Sequence, residues 1–147
     1  MRLIKSKNEI DMLQEAINIT EKGFIEAIKL SSKFKYEFEI QGIMEKEFRM
    51  SGSKRNGYPS IVASGKNACI LHYIENNQKF EEGSLLLIDA GSEWDYYSAD
   101  VTRTWPVDGK FTSDQKDIYE IVLEANIKAI EECKIGNTIT DPHMVAL

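Results

Sequence analysis

Two aspartates stand at the ends of apolar runs and could do chemistry together. In the stretch "LLLIDAGSEWDYYSADVTRTWPV", Leu85 to Val107, one hydrophobic run ends in Asp89 and a second strand-like run begins at Asp100, eleven positions later. Read as a hairpin centred on Trp94–Asp95, the segment sets Asp89 directly opposite Asp100 on one face of a sheet. Their Cβ atoms are then roughly 4.5–5.5 Å apart. Like charges that close repel and lose solvation beside an apolar strand. A divalent cation, or a pair about 3.5–4 Å apart, resolves the conflict. The spacing alone does not decide for a metal. D-A-G is also good turn chemistry, and Asp100 reads equally well as a solvated strand end.

The elements that must position this pair are legible on either side of it. Ser6 and Glu9 form an S-x-x-E capping box, and Ile10, Leu13, Ile17, Phe24 and Ile28 follow at helical spacing, so a long amphipathic helix is expected from about Asn8 to Leu30. "YEFEIQGIMEKEFRMSG" reads as a second helix with Ile40, Met44 and Phe48 on one face and Gly52 as C-cap. Thr112 and Gln115 repeat the capping-box pattern ahead of a third helix marked by Ile118, Val122, Ala125 and Ala129 and ending near Gly136. "TDPH" suggests a fourth, with Pro142 at its first position. Between the second and third helices, "SIVAS", "CILHY", "LLLID" and "ADVTRTWPV" are short and rich in β-branched and aromatic residues. Clustered strands, rather than strict alternation with helices, point to an α+β fold with a largely antiparallel sheet.

Composition narrows the functional classes. The chain has 147 residues, 42% of them hydrophobic and 29% charged, which suits one soluble domain. A net charge of −6 argues against a nucleic-acid partner, since phosphate contacts need a basic face. No run of about 20 apolar residues predicts a membrane span. The opening "MRLIKSKNEID" lacks the apolar segment of a signal peptide, so a cytoplasmic location is expected. Cys69 and Cys133 are too few and too far apart for a zinc knuckle or a disulfide framework, and read as reduced, partly buried thiols.

The blocks around the aspartates also carry a family likeness. D-A-G at 89–91, A-D-V-T-R-T-x-P-V-x-G-K-F at 99–111 and L-H-Y at 71–73 occur in the order and spacing of Xaa-Pro aminopeptidases (aminopeptidase P), which the sequence resembles over nearly its whole length. The resemblance implies the N-terminal half of a pita-bread metallopeptidase domain over residues 1–147, with the family's separate N-terminal domain and C-terminal half absent. It implies that Asp89 binds one metal, that Asp100 bridges two, and that His72 is no ligand but contacts the substrate around the scissile bond. From the residues alone, His72 reads instead as a packed strand histidine. Thr102 and Arg103 either brace Asp100 or are an ordinary strand threonine and a surface arginine; both readings stand.

The family's site takes two aspartates, a histidine and two glutamates, and the last three have no counterpart here. His143 sits too early to be the missing histidine and reads as a helix N-terminal residue. Two aspartates alone bind a divalent ion weakly, so the chain by itself is expected to be inactive and to hold no metal tightly. In the intact enzyme the resemblance implies two divalent ions, with Mn2+ favoured and Co2+ or Zn2+ compatible. A hydroxide bridging them would release the N-terminal residue from peptides with proline at the second position. An uncovered sheet face further predicts self-association into a homo-oligomer. The alternatives are an Xaa-Pro dipeptidase (prolidase) and a non-catalytic pita-bread binding module.

Overall fold

A computed structural model describes residues 3–147. The chain divides into two compact units, Met1–Lys110 and Phe111–Leu147.

In the first unit, α1 (Lys7–Leu30) starts at the expected capping box: Ser6 N donates to Glu9 Oε2 at 2.7 Å and Glu9 N donates to Ser6 Oγ at 3.4 Å. The helix buries Phe24 of the predicted stripe, but the buried face is rotated away from its isoleucines. Ile10, Ile17 and Ile28 are 54%, 44% and 50% exposed, whereas Ala16, Ile19, Thr20, Gly23, Phe24 and Ala27 are buried. Close approach selects this face, since a Cβ on Gly23 would lie 2.5 Å from Phe48 Cε1. Phe48 belongs to α2 (Glu37–Met50), whose Ile40, Met44 and Phe48 are fully buried as the spacing predicts. Gly52 ends α2 with a positive φ of 98°.

The strands are β1 (Ile61–Ser64), β2 (Leu85–Ala90), β3 (Glu93–Trp94), β4 (Tyr97–Ser98) and β5 (Val101–Pro106). A three-stranded antiparallel sheet runs in the order β1-β2-β5, and β3 pairs with β4. Leu86, Ile88 and Ala90 of β2 pack with Val62 against Ile19, Phe24, Ile40, Met44 and Phe48. The alternate residues point the other way: Leu87 packs with Ile61, Ala63 and Tyr73, and Asp89 shares that face by strand periodicity.

"CILHY" is not a strand. Residues Gly65–Cys69 form a 3-10 helix and the chain then turns, with His72 in the left-handed region at φ 58°. A residue in that conformation cannot continue a pleated ladder. Ile70 and Leu71 are accordingly 53% and 87% exposed instead of packed.

In the second unit, α3 (Ser113–Glu131) opens on the Thr112–Gln115 capping box. It ends before Gly136, because Asn137 Nδ2 closes the terminus on Glu132 O at 2.9 Å. No residue of α3 is buried. The fourth helix, α4 (Thr140–Ala146), carries Pro142 at its third position rather than its first, and His143 next to it. Both cysteines are free thiols and exposed, not partly buried.

Candidate metal centre

The hairpin that carries the aspartates turns one residue later than its sequence suggested. Asp95 and Tyr96 are its two central residues, at φ 46° and 70°, and Trp94 pairs with Tyr97. A two-residue hairpin of this type needs positive φ at both central positions, and Asp95 and Tyr96 adopt it. Moving the turn by one residue moves the register by two. Asp89 therefore lies opposite Thr102, not opposite Asp100. A two-residue slip preserves the face, since side chains alternate with period two. Asp100 thus shares the Asp89 face as a diagonal neighbour, just before β5 begins.

Gly91 makes this approach possible. A Cβ there would lie 1.8 Å from Ala99 O, so only glycine lets the residues before β5 close over the D-A-G turn. Ser92, next in line, is fully buried and anchors the turn to α1: its N donates to Thr20 Oγ1 at 2.9 Å and its Oγ donates to Ala16 O at 2.9 Å. The segment after α2 docks on the same turn. Gly57 N donates to Gly91 O at 2.8 Å, Glu93 N donates to Arg55 O at 3.1 Å, and Asn56 bridges Ser92.

That docking delivers a residue the sequence did not reveal. The Tyr58 hydroxyl donates to Asp89 Oδ1 at 2.5 Å and to Asp100 Oδ1 at 2.9 Å. One hydrogen is thus shared between two carboxylates, with Tyr58 engaging a single oxygen of each. Burial, and then hydrogen bonding to the two carboxylates, pushes the phenol well above the ordinary tyrosine range, so it stays a donor. Tyr58 precedes Pro59 in an irregular segment, and no periodicity ties it to residues more than thirty positions on.

Asp89 is half-buried, Asp100 and His72 are exposed, and all three line one cavity of ≈ 420 Å³ with Tyr58, Pro59, Ile61 and Ile74. His72 reaches it from the turn after the 3-10 helix, not from a packed strand. Thr102 and Arg103 are exposed, and Arg103 Nη1 donates to Thr102 O at 2.7 Å. The paired carboxylates are hard oxygen donors suited to a divalent cation. Among the described residues, no three His, Cys, Asp or Glu side chains converge. Asp89 and Asp100 therefore fit as part of a metal site, not as a whole one.

Residues 11–147 match the model of metallopeptidase family M24. The chain belongs to this family. Among M24 relatives it is 48% identical to the Xaa-Pro aminopeptidase of Haemophilus influenzae over 139 residues, covering 95% of this chain and 32% of that protein. It is 41% identical to the Xaa-Pro aminopeptidase of Escherichia coli, covering 96% of this chain and 32% of that protein. The structure superposes on Pseudomonas aeruginosa aminopeptidase PepP with a TM-score of 0.93 at 41% identity, over 99% of this chain and 33% of that one. The helices and antiparallel sheet are thus a partial pita-bread domain of the M24 type. The chain spans about a third of the length of the relatives it matches.

Proposed function

We propose that this chain supplies the Asp89–Asp100 half of the dimetal site of an Xaa-Pro aminopeptidase. The observation that carries the reading is the convergence of both carboxylates on the Tyr58 hydroxyl, in the cavity that His72 also lines. The name of the relatives, Xaa-Pro aminopeptidase, supports the substrate class, and similar solved structures include an Escherichia coli aminopeptidase P variant in complex with substrate and a Zn-substituted form in complex with product.

Asp89 and Asp100 would hold two divalent ions, with Mn2+ the favoured metal. Bound there, such ions supply Lewis acidity and a water whose pKa is lowered toward neutrality. The protein's own contribution is positional. Tyr58 fixes the rotation of both carboxylates by holding one oxygen of each. Pro59, Ile61 and Ile74 give the cavity an apolar wall that suits a prolyl ring. His72, on the rim of the same cavity, hydrogen-bonds the peptide at the scissile bond and stabilises the charge that develops on its carbonyl oxygen. The remaining ligands, one histidine and two glutamates, come from outside this chain.

A chimera tests this. Replacing the matching 139 residues of the Haemophilus influenzae enzyme with this chain gives a protein expected to cleave Xaa-Pro peptides when loaded with Mn2+, and to lose that activity on Asp100→Ala. A folded chimera that binds Mn2+ yet releases no N-terminal residue would sink the reading. A length series of Xaa-Pro substrates separates aminopeptidase from dipeptidase action.

A further inference from the structure

Helix α2 carries two rows of side chains at four-residue spacing. Ile40, Met44 and Phe48 form the apolar row. Glu37, Gln41 and Glu45 form a second, polar row, with Glu37 fully buried and the other two half-buried. Every member of the polar row is bonded to a segment that carries a site residue.

Glu37 Oε1 accepts from Ser64 N at 2.8 Å, Ser64 Oγ at 2.8 Å and Asn67 Nδ2 at 3.1 Å. Its Oε2 accepts from Tyr73 Oη at 2.7 Å and Gln78 N at 2.9 Å, both after His72, whereas the Oε1 donors lie before it. Gln41 Oε1 accepts from Asn76 Nδ2 at 2.9 Å, in the same loop, and Asn76 in turn holds Val62 N at 2.9 Å and Ser60 O at 2.8 Å. Gln41 Nε2 donates to Glu45 Oε1 at 2.9 Å. That oxygen also accepts from Asn56 Nδ2 at 2.8 Å and Ser60 Oγ at 3.2 Å, which bracket Tyr58. One continuous network thus runs from the His72 loop, along one face of α2, to the Tyr58 segment.

We propose that Glu37, Gln41 and Glu45 are positioning residues that lock the His72 loop and the Tyr58 segment to each other, so that the imidazole and the paired carboxylates keep a fixed separation. This rests on the reading of His72 and Tyr58 as site groups. Core burial does not require it. The apolar row already packs α2 on the sheet, and a carboxylate that gathers five donors from two separate segments specifies where those segments lie.

The test is NMR on the metal-free 147-residue chain carrying Gln41→Met, which keeps helix propensity and length but removes both polar ends. The Val62 amide, bonded to Asn76, is expected to exchange about fivefold faster, the factor for one net hydrogen bond. Backbone order parameters at Tyr58 and His72 are expected to fall together, from about 0.85 toward 0.6. The His72 ring signal shifts, while that of His143, the other of the two histidines, stays put. Protection in α1 and β2 is unchanged. Tyr73→Phe, which removes the Glu37 bond to the residue after His72, is expected to shift the His72 ring and lower the His72 order parameter while Tyr58 keeps its own; it carries the test should Gln41→Met not fold, and an unchanged His72 in it overturns the proposal. The proposal is overturned if the His72 ring and both order parameters stay at their wild-type values in a folded variant. A uniform loss of protection across all amides overturns it equally. Neither metal nor turnover enters the measurement, so its failure is distinct from failure of the chimera.

Discussion

Asp89 and Asp100 share the one hydroxyl hydrogen of Tyr58, at 2.5 and 2.9 Å, although they are not cross-strand partners. The bond orients two negative groups before any cation arrives. Tyr58→Phe in the chimera is therefore expected to lower Mn2+ affinity about 10- to 100-fold, the usual effect of removing a group that orients metal ligands. Isothermal titration of wild type and variant measures this directly, and equal affinities would contradict it.

Gly91 and Gly42 make a contrasting pair. At Gly91 an added Cβ meets Ala99 O at 1.8 Å, whereas at Gly42, in the middle of α2, it meets nothing within 4 Å. Gly91→Ala is expected to cost about 3 kcal/mol or more and to displace Asp100. Gly42→Ala should stabilise by about 0.5–1 kcal/mol through helix propensity and chain entropy. Urea denaturation of both variants checks the two signs.

Glu37 predicts an acid-sensitive fold. Burial alone would raise its carboxyl pKa, but hydrogen bonds from Tyr73, Gln78, Ser64 and Asn67 outweigh burial and hold it below the ordinary glutamate range. A lowered folded-state pKa adds stability above the unfolded value, and that stability is lost as pH falls through the folded value. Unfolding free energy should therefore drop below about pH 4.5. Tyr73, pushed up to about 12 by burial and then by Glu37, gives the mirror effect: its contribution is intact below pH 10 and lost as pH rises toward 12. Glu37→Gln should flatten the acid limb while costing about 3 kcal/mol at pH 7, because a buried amide cannot accept from all the same donors. Denaturation midpoints between pH 3 and 8 read out both effects.

The 147-residue chain alone is expected to show no peptidase activity with added Mn2+, since its described residues converge only two carboxylates. It should also self-associate. Ile118, Ile121, Val122 and Ile130 of α3 are 63%, 64%, 62% and 63% exposed, more apolar surface than an isolated helix pair keeps in water. Gel filtration over a range of concentrations tests this; a monomer at every concentration would refute it.

Much of the frame was legible in the sequence, and the misses have physical causes. Capping boxes placed α1 and α3 because both halves of each signal lie within three residues. The Ile40–Met44–Phe48 row was readable because one side of α2 meets the core. On α1 three isoleucines, Ile10, Ile17 and Ile28, misled: the face that buries Phe24 also carries Ala16, Gly23 and Ala27, where Phe48 approaches Gly23 closely. "CILHY" has strand composition, but the left-handed φ at His72 is set by tertiary bonds to Tyr73 and Asn76 that no local pattern encodes. The aspartate pair was found on the right face from the wrong register, because an error of two residues leaves side-chain parity intact. Tyr58 was invisible: its link to the aspartates depends on how residues 55–57 dock on residues 91–93.

The Asn76 side chain has one more consequence. β1 ends the described sheet, and an open strand border is a template on which another chain can add. Asn76 presents a carbonyl to Val62 N and an amide to Ser60 O, filling the rungs that an invading strand would use. The loop that carries His72 therefore also shields this strand border from an added chain, and Asn76→Ala is expected to raise the tendency to aggregate.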